Sequence, residues 1–216
     1  MIAFTSPYLW YTTRATGVVA LVLFTLVVSL GTLVANRVGG TSVGRFELNE
    51  LHRSITVIAM VFLVIHILTT VLDSYVATGW LSAVLPMTSH YKRLAITLGA
   101  VSFDLILAVW VSSLVKVRIK NESWRALHWL SWLAFASAVA HALMTGTDTR
   151  HGAGLALVVV CAATVVASAL WRFFARPTRA SGRTALSPLA PSREQARTAD
   201  PFPRDPRART NTRARR

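Results

Sequence analysis

Charge is almost absent from five stretches of this chain, each about as long as a helix needs to cross a bilayer. Between Arg14 and Arg37 lie 22 residues with no acidic or basic side chain. The intervals Arg53–Asp73, Arg125–Asp148 and Arg150–Arg172 hold 19, 22 and 21 more, and Arg93–Lys116 holds 22 interrupted only by Asp104. A spanning helix needs about 20 mainly apolar residues, and only a helix or a closed barrel satisfies its own backbone in lipid. The spans read as 15–36, 51–73, 94–115, 126–146 and 153–174. The expected fold class is all-α, an integral membrane helical bundle with five transmembrane helices. A composition that is 53% hydrophobic and only 15% charged departs from soluble domains in the same direction.

The apolar run after Arg14 is longer than the core of a secretory signal, and no A-x-A-like cleavage site follows it. It is expected to remain as a helix. Residues 176–216 carry 11 arginines and six of the eight prolines. So few large apolar side chains cannot offset the entropy of ordering, so this segment is expected to be a disordered Arg/Pro-rich tail behind a membrane domain at 1–175. Basic flanks set the orientation. Arg37, Arg45, Arg53, Lys116, Arg118, Lys120 and Arg125 fall on one side, and Arg14, Lys92, Arg93 and Arg150 on the other. The tail joins the richer side. The expectation is a multi-pass protein of the plasma membrane, with its N-terminus outside and its C-terminus cytoplasmic. The net charge of +14 then reads mainly as a topology signal, with membrane lipid rather than nucleic acid as the partner. The outer loop Ser74–Tyr91 holds Trp80, Leu81, Val84, Leu85, Pro86 and Met87, which suits a short interfacial helix or a lid. The single cysteine, Cys161, falls within the last span and reads as a small core residue.

Four of the six histidines lie in just two spans. His52 opens the second and His66 follows 14 residues later, while His128 opens the fourth and His141 follows 13 later. Both spans start on the same side, so His52 and His128 share one depth and His66 and His141 another. At 1.5 Å per residue the two levels stand about 20 Å apart. Paired neutral imidazoles facing across a bundle form an axial ligand set for haem iron. Two such levels would carry electrons through a bilayer, whereas one zinc site would need its ligands gathered at a single point. The expected cofactors are two haem b groups, with His52, His66, His128 and His141 as iron ligands. The interval of 13 is awkward, because it turns two side chains about 140° apart on an ideal helix, against about 40° for 14. His90 and His151 fall in outer loops without such pairing.

Haem propionates need cationic partners near the membrane faces. Arg53 and Arg125 flank the inner pair and are expected to bind the cofactor, with Arg14, Lys92, Arg93 and Arg150 available to the outer one. Each also serves as a topology charge. Asp104 falls mid-span, where a carboxylate is costly, and is expected to face the bundle. Three roles fit it there: holding the second nitrogen of a ligand histidine, relaying protons, or packing as a neutral acid. Trp124 and Trp129 suit the interfacial belt and Trp132 the cofactor wall, while Gly17, Gly31, Gly99 and Gly154 allow close backbone approach.

At these residues the chain resembles the ferric reductase-like transmembrane domain, a superfamily that includes NADPH oxidases, ferric reductases and the haem subunit of a bacterial methionine sulfoxide reductase system. The resemblance rests on RATGVVALVLF, on LHRSITVIAMVFLVIHILTTVLDSY around His52 and His66, on YKRLAITLGA, and on WRALHWLSWLAFASAVAHAL around His128 and His141. It covers roughly 10–175. It implies a transmembrane haem domain over 1–175 that pairs His52 with His128 and His66 with His141, and that works as a membrane oxidoreductase or its haem subunit. No Gly-rich dinucleotide fingerprint is present, in contrast to the oxidases and ferric reductases. Flavin or quinone is therefore expected through a partner. The implied partners are an electron-donor flavoprotein or quinone, and an outside-facing acceptor protein or ferric iron. A terminal ferric or oxygen reductase fed by a separate flavoprotein and a non-redox membrane scaffold are the alternatives.

Overall fold

In a computed structural model, the described residues are 7–35, 46–73 and 79–174, together with the backbone position of Arg45. The expected tail at 176–216 lies outside them. Helices α1 (Pro7–Ala35), α2 (Arg45–Leu72), α4 (Arg93–Leu114), α5 (Asn121–Thr145) and α6 (Gly152–Phe174) are each long and apolar enough to cross a membrane. No strand occurs among the described residues. The chain is therefore a multi-pass, all-helical membrane protein.

The helices run past the charge-free intervals. α1 starts at Pro7, eight residues before the expected span, and α5 starts at Asn121 rather than at 126. Charge marks where hydrocarbon ends, but a helix stops only where its backbone is broken or capped. Proline is well suited to the first helical position, where its missing N–H is not needed. With 29 residues, α1 is about 44 Å long at 1.5 Å per residue, more than the hydrocarbon core it crosses.

Packing is by small residues. Ala20, Ala59, Ala95, Ala100 and Ala134 are among the most buried apolar side chains, with Ala59 fully enclosed and Ala134 1% exposed. Lipid tails are as apolar as leucine, so helices in a bilayer associate by close backbone approach and by hydrogen bonds. α1 packs tightly along α2, and α4 along α5, forming two hairpin-like pairs. Ser102 of α4 donates to the Ala134 carbonyl of α5 at 2.9 Å, both groups being buried. α6 leans on α1 and more lightly on α5, through a cluster of Leu21, Phe135, Val158, Cys161 and Val165. Cys161 thus takes the core position expected of it.

α2 and α5 are not among the closely packed helix pairs. Between the two hairpins lies a cavity of about 1720 Å³. It is also bordered by Ser82, Ala83 and Tyr91 of the segment before α4, in which Trp80–Val84 forms the short helix α3 packed against α4. Trp80 and Leu81 of that helix are exposed.

One end of the bundle is stitched by its cations. Arg14 of α1 meets Asp148 at 2.7 Å, donates to Thr147 Oγ1 at 3.1 Å and stacks on Trp10. Arg150 donates to the carbonyls of Leu143 and Met144, and Lys92 to that of Thr145. These carbonyls end α5, where they lack helical partners and where the dipole favours positive charge. Of the four cations expected near the outer histidine pair, Arg150 and Lys92 thus serve the end of α5, and Arg14 serves the segment that follows it.

Ser102→Ala should lower stability by about 0.6 kcal/mol, the average for an interhelical hydrogen bond in lipid. Reversible unfolding in mixed micelles measures this. A variant as stable as the parent protein would assign the α4–α5 contact to packing alone.

Candidate metal centre

Three of the four paired histidines share one piece of local helix chemistry. In α2, Thr56 and Thr70 place their hydroxyls on the carbonyls of His52 and His66, both at 2.6 Å. In α5, Thr145 does the same for His141 at 2.7 Å. The threonine follows its histidine by four residues each time, so its hydroxyl is satisfied one turn back within its own helix. Trp132 occupies that position for His128.

The imidazoles lie against glycines of the neighbouring helix. A methyl group at Gly17 would stand 2.9 Å from the His66 ring, and one at Gly99 would stand 2.7 Å from His141 Nδ1. At Gly31 the gap to His52 would be 3.4 Å. These rings touch backbone that any side chain would cover. Each then reaches the carbonyl of the residue four before its glycine. His66 Nδ1–H donates to Thr13 at 2.8 Å, His52 Nδ1–H to Val27 at 3.0 Å, and His141 Nδ1–H to Ala95 at 2.7 Å. A carbonyl only accepts, so the proton sits on Nδ1 and the Nε2 lone pair is left for a metal. The hydrogen bond also fixes the ring and raises its basicity as a ligand.

Across the gap the rings meet in the expected pairs. His52 and His128 have centroids 6.5 Å apart, and His66 and His141 6.4 Å apart. Imidazoles joined head-on through one metal atom, with metal–nitrogen bonds of about 2 Å, stand about 6.3 Å apart between centroids. Among the described residues, no three His, Cys, Asp or Glu side chains converge on a point that could hold a bare ion. A haem brings its own equatorial nitrogens and asks the protein for only two axial ones. The donor set and its spacing therefore fit that group, and all four histidines line the cavity between the hairpins.

Other side chains fall into place around them. Arg53 and Arg125 are exposed residues that line the same cavity, one and three residues from His52 and His128. Trp132 lines it too, while Trp129 packs on Phe173 with Arg172 above its ring. Trp124, expected as an interface anchor, instead stacks on His128 at 4.9 Å. Asp104 departs from expectation. It does not line the cavity, and it lies along α4 on the side of the exposed Leu107 and Val111. The Nδ1 atoms of His52, His66 and His141 already have backbone carbonyl partners, so no carboxylate is needed there. The cradling role of Gly17 and Gly31 was missed in the sequence, although their spacing of 14 equals that of His52 and His66.

A family model described as ferric reductase like transmembrane component matches residues 16–139. The match takes in His52, His66 and His128 and stops two residues before His141. No curated protein and no solved structure matches the chain. With more than half of its length matched, the chain belongs to the ferric reductase like transmembrane component family.

Proposed function

We propose that this protein carries electrons across the plasma membrane through two b-type haems, one between His52 and His128 and the other between His66 and His141. Membership of the family implies transmembrane electron transfer. The observation that supports the two-haem reading is the pair of ring separations, 6.5 and 6.4 Å, across a gap that α2 and α5 do not otherwise close. A bound haem supplies the iron whose ferric–ferrous change carries the electron.

The chain supplies everything around that iron. Its histidines would provide nitrogen ligands to the iron, and Gly17, Gly31 and Gly99 let three of them lie against helix backbone. Arg53 and Arg125 border the cavity near His52 and His128, where cations would pair with propionates. An apolar bundle wall keeps water from the path and so helps to set the potential.

Basic flanks support a cytoplasmic placement of the His52–His128 level and an outer placement of His66–His141. The donor on the inner side is then a flavoprotein or a quinone, and the acceptor outside a protein or ferric iron. In this reading the chain is the haem component of an oxidoreductase.

A reduced-minus-oxidised spectrum of the purified protein should show b-type bands, and a protein without them would sink the proposal. His52→Ala and His141→Ala should each remove one haem of the two, measured as haem per chain. If either variant keeps both, the assigned ligands are wrong. Gly99→Leu should lose the same haem as His141→Ala, because its side chain fills the space of the His141 ring. Gly79→Ala, where nothing lies within 4 Å, should leave the haem content unchanged.

A further inference from the structure

His128 breaks every rule the other three histidines keep. Its Nδ1 is buried and has no hydrogen-bond partner. No threonine follows it by four residues, and among the described residues no glycine cradles its ring. The cause lies partly on α4. Fourteen residues along from Gly99 and Ala95 stand Ser113 and Val109. Ser113 has a side chain where Gly99 has none, and the Val109 carbonyl already accepts the hydroxyls of Ser112 at 2.9 Å and Ser113 at 2.8 Å. The remaining cause lies on α5 itself. An interval of 13 residues turns His128 about 140° from His141 on an ideal helix, away from the face that His141 presents to α4.

Something else holds the ring. Trp124, one turn before His128, stacks on it with centroids 4.9 Å apart and planes 29° from parallel. Above the indole sits Lys116, its Nζ 3.8 Å from the ring centroid. The Trp124 Nε1 is itself buried without a partner, so the indole is held by its faces and not by its N–H. A cation over an indole is attracted by the quadrupole of the ring, which favours one orientation of the stack.

We propose that Trp124, in contact with both Lys116 and His128, is the positioning residue that orients the His128 imidazole in place of a helix carbonyl. His128 is then the most readily displaced of the four axial ligands. Stacking fixes the ring plane, as a hydrogen bond would. It does not polarise Nδ1–H, so the ring lacks the added basicity that a carbonyl gives the other three. The inference rests on the haem reading above.

The test compares Trp124→Leu with Trp124→Phe in the full, haem-loaded protein. Each is followed by electron paramagnetic resonance of the ferric haems and by carbon monoxide binding after reduction. Trp124→Leu should shift one low-spin signal, the one lost in His52→Ala, and should let that haem alone bind carbon monoxide. Trp124→Phe, which keeps a stacking face, should restore the parent behaviour. Lys116→Gln, a change at an exposed residue, should shift the same signal to a smaller extent. Two results would overturn the proposal: that signal unmoved in both Trp124→Leu and Lys116→Gln, or both haem signals moved equally. A parent protein with no low-spin haem signal would instead remove the haem reading itself.

Discussion

An imidazole laid on the bare backbone of a neighbouring helix is the contact from which the rest of this bundle follows. Three conditions must coincide for it. A glycine must remove the side chain that would stand in the way, the carbonyl one turn back must face the same side, and the ring must present Nδ1–H to that carbonyl. All three coincide at Gly17 with Thr13, at Gly31 with Val27 and at Gly99 with Ala95. The hydrogen bond does two things in one geometry. It satisfies a polar group that lipid would otherwise penalise, and it turns the opposite nitrogen into the gap as a lone pair.

From that contact comes the division of the bundle. α2 must lie close to α1, because His52 and His66 both rest on α1. α5 must lie close to α4, because His141 rests on α4. Alanines at the closest approaches permit this, and Ser102 adds a polar tie. The two hairpins are thereby complete in themselves, and the space between them can stay open. A bundle packed evenly on all sides would have closed the gap with side chains and left the imidazoles no common axis. Here α6, packed on α1 and α5, and the Arg14–Asp148 ion pair tie the hairpins together at the border of the cavity.

Much of this was legible in the sequence, for identifiable reasons. Charge-free length fixed the number of spans, because lipid imposes that length directly. Depth fixed the histidine pairs, because rise per residue is constant along a helix. Helix ends were less legible, since the residues before Arg14 and around Asn121 continue helically into the headgroup region, where charge no longer excludes them. The placement of Asp104 was misread. Cost in lipid argues that a carboxyl should turn inward, but rotation of α4 is set by Gly99 and Ser102, which face α5, and Asp104 follows from them. The carbonyl acceptors could not be read at all, because a backbone oxygen has no letter. Their traces could be: equal spacings of 14 in α1 and α2, and a threonine four residues after three of the histidines.

The 13-residue interval in α5 looked like a flaw in an otherwise regular pattern, and the structure gives it a physical content. A helix that presents two ligands to one neighbour needs them 14 apart, as α2 does toward α1. Dropping one residue keeps nearly the same depth but rotates the second ligand off that neighbour. The ring that results still reaches its partner, at a separation within 0.1 Å of the other pair. What it loses is the carbonyl, and what it gains is Trp124 with Lys116 behind it. Depth and pairing are thus insensitive to the missing residue, while the chemistry behind the ligand is entirely sensitive to it. Two imidazole pairs alike in separation thus differ in what stands behind one ring, and under the proposed two-haem reading that difference would let the two irons differ in potential.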